Sequence, residues 1–123
     1  MSLTSEMVED IQVLKLGCPN LDISTYKEIS SLFDSLAGGG KAVIFDFSEI
    51  RSIDSAGFGA MMMWRQRLRS KGANMMLCSL SAEVDRAFRA VKLHLLFPVH
   101  PDRDSAIRSA KQTAGSPSSQ TAK

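Results

Sequence analysis

A chain of 123 residues, 44% of them hydrophobic and 23% charged, is sized and composed for one soluble domain. The formal charge of +2, with lysines and arginines spread along the chain, leaves no electrostatic footprint for nucleic acid, and 7% aromatic residues leave no stacking platform for single strands. No apolar run reaches the roughly 18 residues of a membrane span. The N-terminus lacks a basic-then-apolar signal pattern, so the expected compartment is the cytoplasm. Cys18 and Cys78 have no CxxC partner and are expected as buried, reduced thiols. A disulfide or metal pair is the alternative.

Leu3 to Val8 is weakly strand-like, and Glu9-Asp10 can turn it into Ile11 to Leu16, which alternates as a strand with one buried face does. After a loop from Gly17 to Leu21, Asp22 or Ser24 can cap a helix that places Tyr26, Ile29, Phe33 and Leu36 on one face. Gly38-Gly39-Gly40 reads as the end of that helix. A phosphate loop would instead follow a strand as GxxxxGK[ST]. Ala42 to Phe47 is short, continuous and rich in β-formers, the pattern of a central strand covered on both faces.

Ser48 to Ser52 reads as a loop, and the stretch Ile53-Asp54-Ser55-Ala56-Gly57-Phe58-Gly59 opens the next helix. That helix is expected to carry Phe58, Met61, Met62, Arg65 and Leu68 on one stripe and to end at Ser70-Lys71-Gly72. Its Met61 to Arg65 segment holds more apolar side chains than one stripe needs; core packing with one stray exposed side chain is expected, and the alternative places Met63 or Trp64 in a partner or dimer face. Ala73 to Ser79 is the next strand. Ser81 caps a helix with Val84, Ala87, Phe88, Val91 and Leu95 at helical spacing. Leu96 to His100 is a final strand, placed at a sheet edge by Pro98. Asp102 caps a last helix with Ala106, Ile107 and Ala110 facing inward. The domain is expected to span residues 1–112, with 113–123 as a disordered tail whose polar composition buries nothing.

The resulting order is β-β-α-β-α-β-α-β-α, an α/β fold with a small mixed sheet of about five strands and about four helices. Among chemistries, a nucleophile elbow GxSxG would need glycine where Ile53 stands, and His94 and His100 are the only histidines for a triad. Those two, six residues apart around an apolar run, also lack a metal-ligand pattern. Gly57-Phe58-Gly59 lacks the third glycine of a dinucleotide loop. No enzymatic activity, metal or cofactor is therefore expected. Ser55 is instead well placed as a helix N-cap, and a helix N-terminus favours a phosphate. Phosphorylation there would add about −1.5 to −2 charge beside Asp54.

Val43 to Phe47, Ile53 to Gly59 and Gly72 to Cys78, together with Leu21-Asp22, resemble the STAS domain of bacterial anti-sigma-factor antagonists. That family's pattern is an apolar strand ending in aspartate, then Asp-Ser-(Ser/Ala/Thr)-Gly-(Leu/Phe)-Gly, a helix, a glycine and a strand. The resemblance runs from about Leu3 to Ala110. It implies a small mixed sheet with helices packed mainly on one face. It implies phosphorylation of Ser55 by a switch kinase, itself often the anti-sigma factor, and resetting by a phosphatase. The unphosphorylated domain would bind the anti-sigma factor and free a sigma factor. The expected partner-binding residues are Asp22, Asp54, Ser55, Gly57 and Phe58, with a weak homodimer as a further association. Gly17-Cys18-Pro19-Asn20 departs from the Gly-Glu that many members carry. Two other roles fit the same fold, a scaffold subunit of a signalling assembly or a cytoplasmic accessory of a lipid transporter. A small-ligand or nucleotide sensor is a third.

Overall fold

The computed structural model describes residues 2–36 and 40–115. A five-stranded sheet has the order β1-β2-β4-β6-β7, built from Ser2–Val8 (β1), Ile11–Gly17 (β2), Ala42–Asp46 (β4), Asn74–Cys78 (β6) and Val99–His100 (β7). β1 and β2 form an antiparallel hairpin in which Val8 faces Ile11, turning on Glu9 at φ 57°. The remaining pairs are parallel, because a helix intervenes between each of those strands. The helices are Tyr26–Leu36 (α1), Ser55–Ser70 (α2), Ala82–Ala90 (α3) and Arg103–Gly115 (α4).

The sheet is buried on both faces. Leu14, Leu16, Val43, Phe45, Met75 and Leu77 point into the main core with α1, α2 and α3. Ile11, Val13, Ala42, Ile44, Met76 and Cys78 point to the opposite face, where Ala106 and Ala110 of α4 cover them. Three helices on one face and one on the other match the expected layering. β2 departs from its reading as a half-buried strand, because α4 covers the face that the alternation left open. Asp102 caps α4 as expected, its Oδ1 accepting the Ser105 N–H at 2.8 Å. The helix continues to Gly115, three residues past the expected domain boundary, and the rest of the expected tail lies outside the described residues. Gly38 and Gly39 lie outside them as well.

The main core is organised around two aromatic groups. Trp64 stacks on Phe45 with ring centroids 5.4 Å apart and on Phe33 at 5.7 Å, while its Nε1–H donates to Ser30 Oγ at 3.0 Å. It is fully buried, as core packing of this segment requires, and the alternative of a partner-facing Trp64 is corrected. Phe88 makes edge-on contacts with Phe47, Phe58 and Phe97, and such pairs add about 0.5–1.5 kcal/mol each beyond their buried area. The buried stripe of α2 is Gly57, Ala60, Met61, Trp64 and Leu68. Met62 and Met63 face outward, which removes Met62 from its expected stripe.

The helix expected to include Val91 and Leu95 is shorter. Lys92 takes a left-handed φ of 62°, a 3-10 turn follows over Leu93–Leu95, and both apolar side chains are exposed. The last strand shrinks to Val99–His100, though it keeps its expected edge position.

Candidate functional site

Two very short strands, missed in the sequence, build the site. Asn20–Leu21 (β3) and Ser52–Ile53 (β5) pair in parallel as a separate two-stranded sheet, Leu21 facing Ile53. Ser52 Oγ donates to Asn20 Oδ1 at 2.5 Å, and the Ser52 amide donates to Pro19 O at 3.2 Å. Leu21 of this pair and the neighbouring Ile50 are buried and anchor it to the main core. The pairing brings the Leu21-Asp22 segment against the start of α2, 32 residues further along the chain by the Asn20–Ser52 bond.

Asp54, rather than Ser55, is the N-cap of α2. Its backbone is extended (φ −116°, ψ −173°), and its Oδ1 accepts the Gly57 N–H at 3.0 Å. Its carbonyl accepts the Phe58 N–H at 2.9 Å, and its own N–H donates to Leu21 O at 3.2 Å. The bond to Leu21 continues the β3–β5 pairing through Asp54 and holds it extended, so helical geometry begins at Ser55. Ser55 is therefore the first helical residue, and it is exposed. The amides of Ser55 and Ala56 lie in the first turn, where a helix has no internal acceptors for its N–H groups. An anion on the Ser55 side chain would sit at the positive end of the helix dipole.

Gly57 is buried where α2 leans on β3. A Cβ at this position would overlap the Leu21 carbonyl oxygen and crowd Ile53 Cγ1 at 2.8 Å. Glycine is needed here for close approach, whereas a Cβ on Gly59 would meet nothing within 4 Å. Phe58 is half-buried, with its ring 5.6 Å from that of Phe88, so part of it belongs to the α2–α3 packing rather than to an open surface.

Asp22 organises the neighbouring loop. Its Oδ1 accepts from the Ser24 N–H at 2.9 Å, the Ser24 hydroxyl at 2.7 Å and the Thr25 hydroxyl at 3.3 Å. Those bonds, the Ser24 hydroxyl first, hold its carboxyl below the ordinary carboxylate value and keep it ionised at neutral pH. Ile23, inside this polar turn, is 72% exposed. Nothing in the sequence singles it out, because a lone apolar side chain in a polar turn is common on protein surfaces. A groove of about 210 Å³ runs alongside, lined by Arg51, Ser52 and Ile53 on one side and by Glu83, Val84 and Ala87 of α3 on the other. The site thus joins Asp22, Asp54 and Ser55 in one surface at the start of α2, with Phe58 tucked at its edge and Gly57 buried beneath it.

Cys18 and Cys78 are buried and unpaired with each other, and burial pushes both thiols above 9.0, so both stay protonated at neutral pH. His94 and His100 are half-buried, each with one buried ring nitrogen (Nδ1 and Nε2) that has no hydrogen-bond partner among the described residues. Among the described residues, no helix is long and apolar enough to cross a membrane.

The comparisons agree with this architecture. A sequence search of characterised proteins finds no match. Among solved structures, an anti-sigma factor antagonist from Mycobacterium paratuberculosis superposes with a TM-score of 0.79 at 17% identity, covering 89% of this chain and 93% of that one. The anti-sigma factor antagonist SpoIIAA of Bacillus gives 0.73 at 20% identity in its unphosphorylated form, covering 90% of this chain and 97% of that one. Its phosphorylated form gives 0.64 at 19% identity, covering 89% and 99%. The murine anion transporter Slc26a9 gives 0.77 at 15% identity, with 87% of this chain matching 18% of the transporter's length. At these identities the likeness is one of fold. The STAS domain family model matches residues 3–106, a span from β1 to α4 that includes every residue of the site, and the chain belongs to the STAS domain family.

Proposed function

We propose that this domain is a phosphorylation-switched protein-binding module, whose unphosphorylated form binds an anti-sigma factor acting as its serine kinase and so releases a sigma factor. The observation that carries the reading is the position of Ser55. It is exposed as the first residue of α2, next to a capping Asp54 and above two amides without helical acceptors. A phosphate there leaves the cap intact, because the capping oxygen is on Asp54. Its charge acts outward, on whatever docks over Asp22, Ile23, Asp54 and the edge of Phe58. A partner fitted to a neutral hydroxyl would meet added charge at a desolvated contact, a mismatch of several kcal/mol. SpoIIAA, which shares the fold, exists in phosphorylated and unphosphorylated forms, and this supports the same chemistry here. The protein acts by binding rather than catalysis, and a phosphatase resets it.

The test is phosphorylation of the full chain by a candidate switch kinase with ATP, read by intact mass and site mapping, alongside the affinities of Ser55→Ala and Ser55→Asp for the same kinase. The expected result is one phosphate, on Ser55. Ser55→Ala should bind as wild type, and Ser55→Asp about a hundredfold more weakly. Wild-type affinity in Ser55→Asp would sink the charge mechanism.

The likeness to a portion of Slc26a9 favours a second reading, in which the domain serves a membrane transporter. Co-purification with a transporter rather than with a kinase would select it.

A further inference from the structure

The sheet edge beyond β6 is only half covered. β7 pairs with Leu77 and Cys78 alone, so among the described residues the first three residues of β6, Asn74 to Met76, have no strand beside them on that side. The Leu77 N–H donates to Pro98 O and the Ser79 N–H to His100 O. In a parallel ladder a residue presents its N–H and C=O to the same neighbour, and the direction repeats every second residue. Met75 therefore turns both groups toward the uncovered side. The residue in line with its carbonyl is Pro98, which has no N–H to give.

A groove of about 450 Å³ lies over this edge. Arg65 and Arg69, one turn apart on α2, form one wall, Leu96 and Pro98 the other, and Asn74 and Met75 line the groove between them. No carboxylate lines it among the described residues. Among the described residues neither guanidinium has an acidic partner, whereas Arg67, on another face of α2, is paired with Asp34. Arg65 is held instead with its Cζ 6.0 Å from the centre of the Phe97 ring. The groove is thus a strand edge whose Met75 N–H and C=O have no backbone partner on that side among the described residues, flanked by two positive charges and an apolar lip.

We propose that this groove receives an extended acidic segment of a partner protein, which adds a short strand to the β6 edge and sets its carboxylates against Arg65 and Arg69. The strand edge favours a polypeptide over a small anion, because a carboxylate anion can accept from the Met75 N–H but has no donor for the Met75 carbonyl, whereas a strand supplies both. The unpaired arginines select acidic side chains, as guanidinium groups recognise carboxylates in bidentate fashion. Arg65 and Arg69 lie ten and fourteen residues along α2 from Ser55, roughly 15–20 Å away at 1.5 Å per residue. The groove can therefore be filled whatever the state of Ser55.

The test is an NMR titration of the full-length, isotope-labelled chain with a capped hexapeptide alternating valine and glutamate, up to millimolar concentration. The amides of Asn74, Met75 and Leu96 should shift. Affinity should fall about tenfold for the Arg65→Gln/Arg69→Gln double variant, for a peptide with glutamine in place of glutamate, and for a peptide N-methylated at alternate amides. Ser55→Asp should bind the peptide as wild type does. Arg69→Gln alone, which leaves the Arg65–Phe97 contact in place, should still weaken binding and guards against loss of packing in the double variant. The proposal is overturned if no amide shifts at millimolar peptide or if the shifts fall elsewhere. It is equally overturned if free glutamate or inorganic phosphate reproduces them at the same concentration. Binding of phosphatidylglycerol vesicles that depends on the same arginines, with no response to peptide, would also overturn it.

Discussion

The Asp54 amide donates to the Leu21 carbonyl at 3.2 Å. This one bond joins the loop organised by Asp22 to the first turn of α2, and it sets where that helix begins. The same carbonyl oxygen is what a side chain on Gly57 would strike. Leu21 is thus the surface against which the start of α2 is positioned.

The two glycines of the motif should respond oppositely to alanine. Gly57→Ala forces α2 away from β3, an overpacking cost of about 1–3 kcal/mol. Gly59→Ala adds a methyl group in open space within a helix and should stabilise by about 0.5–1 kcal/mol. Urea denaturation of the two variants, with unchanged slopes, should show midpoints moving in opposite directions.

The capping assignment makes a second contrast. Asp54→Ala removes the acceptor for the Gly57 N–H and should cost about 0.5–2 kcal/mol. Ser55→Ala should stay within about 0.5 kcal/mol of wild type, since its hydroxyl is exposed and makes no cap. Thermal unfolding would reject the assignment if the order were reversed.

Trp64 and Met63 are neighbours in sequence with opposite fates. Trp64→Ala opens a cavity between Phe33 and Phe45 and should cost about 3–5 kcal/mol. Met63→Ser, on the exposed side of α2, should change stability by no more than about 0.5 kcal/mol. Chemical denaturation of both proteins checks the phase of the helix.

Asp46 links stability to acid. It is 5% exposed, and burial opposes its ionisation. The bond from Arg103 Nη2 at 2.7 Å and that from the Ser48 N–H at 2.9 Å outweigh burial and hold its carboxyl below the ordinary value of 3.8. Arg103 also bonds Glu6 Oε1 at 2.7 Å, tying α4 to β1. A carboxyl lowered on folding binds fewer protons folded than unfolded in this range. Its contribution is therefore fully present above 3.8 and is lost as pH falls through the lower folded value. Unfolding free energy measured against pH should decline through that acid window in wild type, and Asp46→Asn should flatten the decline. Equal acid slopes in the two proteins would assign the effect to other carboxylates.

Much of the fold was legible because its elements carry strong local patterns. β4 read as a strand buried on both faces because Ala42 to Phe45 is unbroken and apolar, and both faces are indeed covered. Ser81 and Asp102 read as helix starts and both cap, through the Val84 and Ser105 amides. The stripe of α2 was read out of phase because Gly57 and Ala60 face the core yet carry almost no hydrophobic weight, so the methionines dominated the pattern. β3 and β5 escaped notice because two-residue strands have no periodicity to detect.

The sequence by itself determined the order of the five main-sheet strands and four helices, the inward Ile29 and Phe33 of α1 (though not the exposed Leu36 expected beside them), the inward face of α4, and a serine at a strand-to-helix turn within a recognisable family motif. These follow from local propensity and spacing, which neighbouring residues decide among themselves. Only the tertiary structure decided that Asp54 caps and Ser55 stands free as the first helical residue. Both side chains are competent caps, and a contact with Leu21, distant in sequence, breaks the tie by holding Asp54 extended.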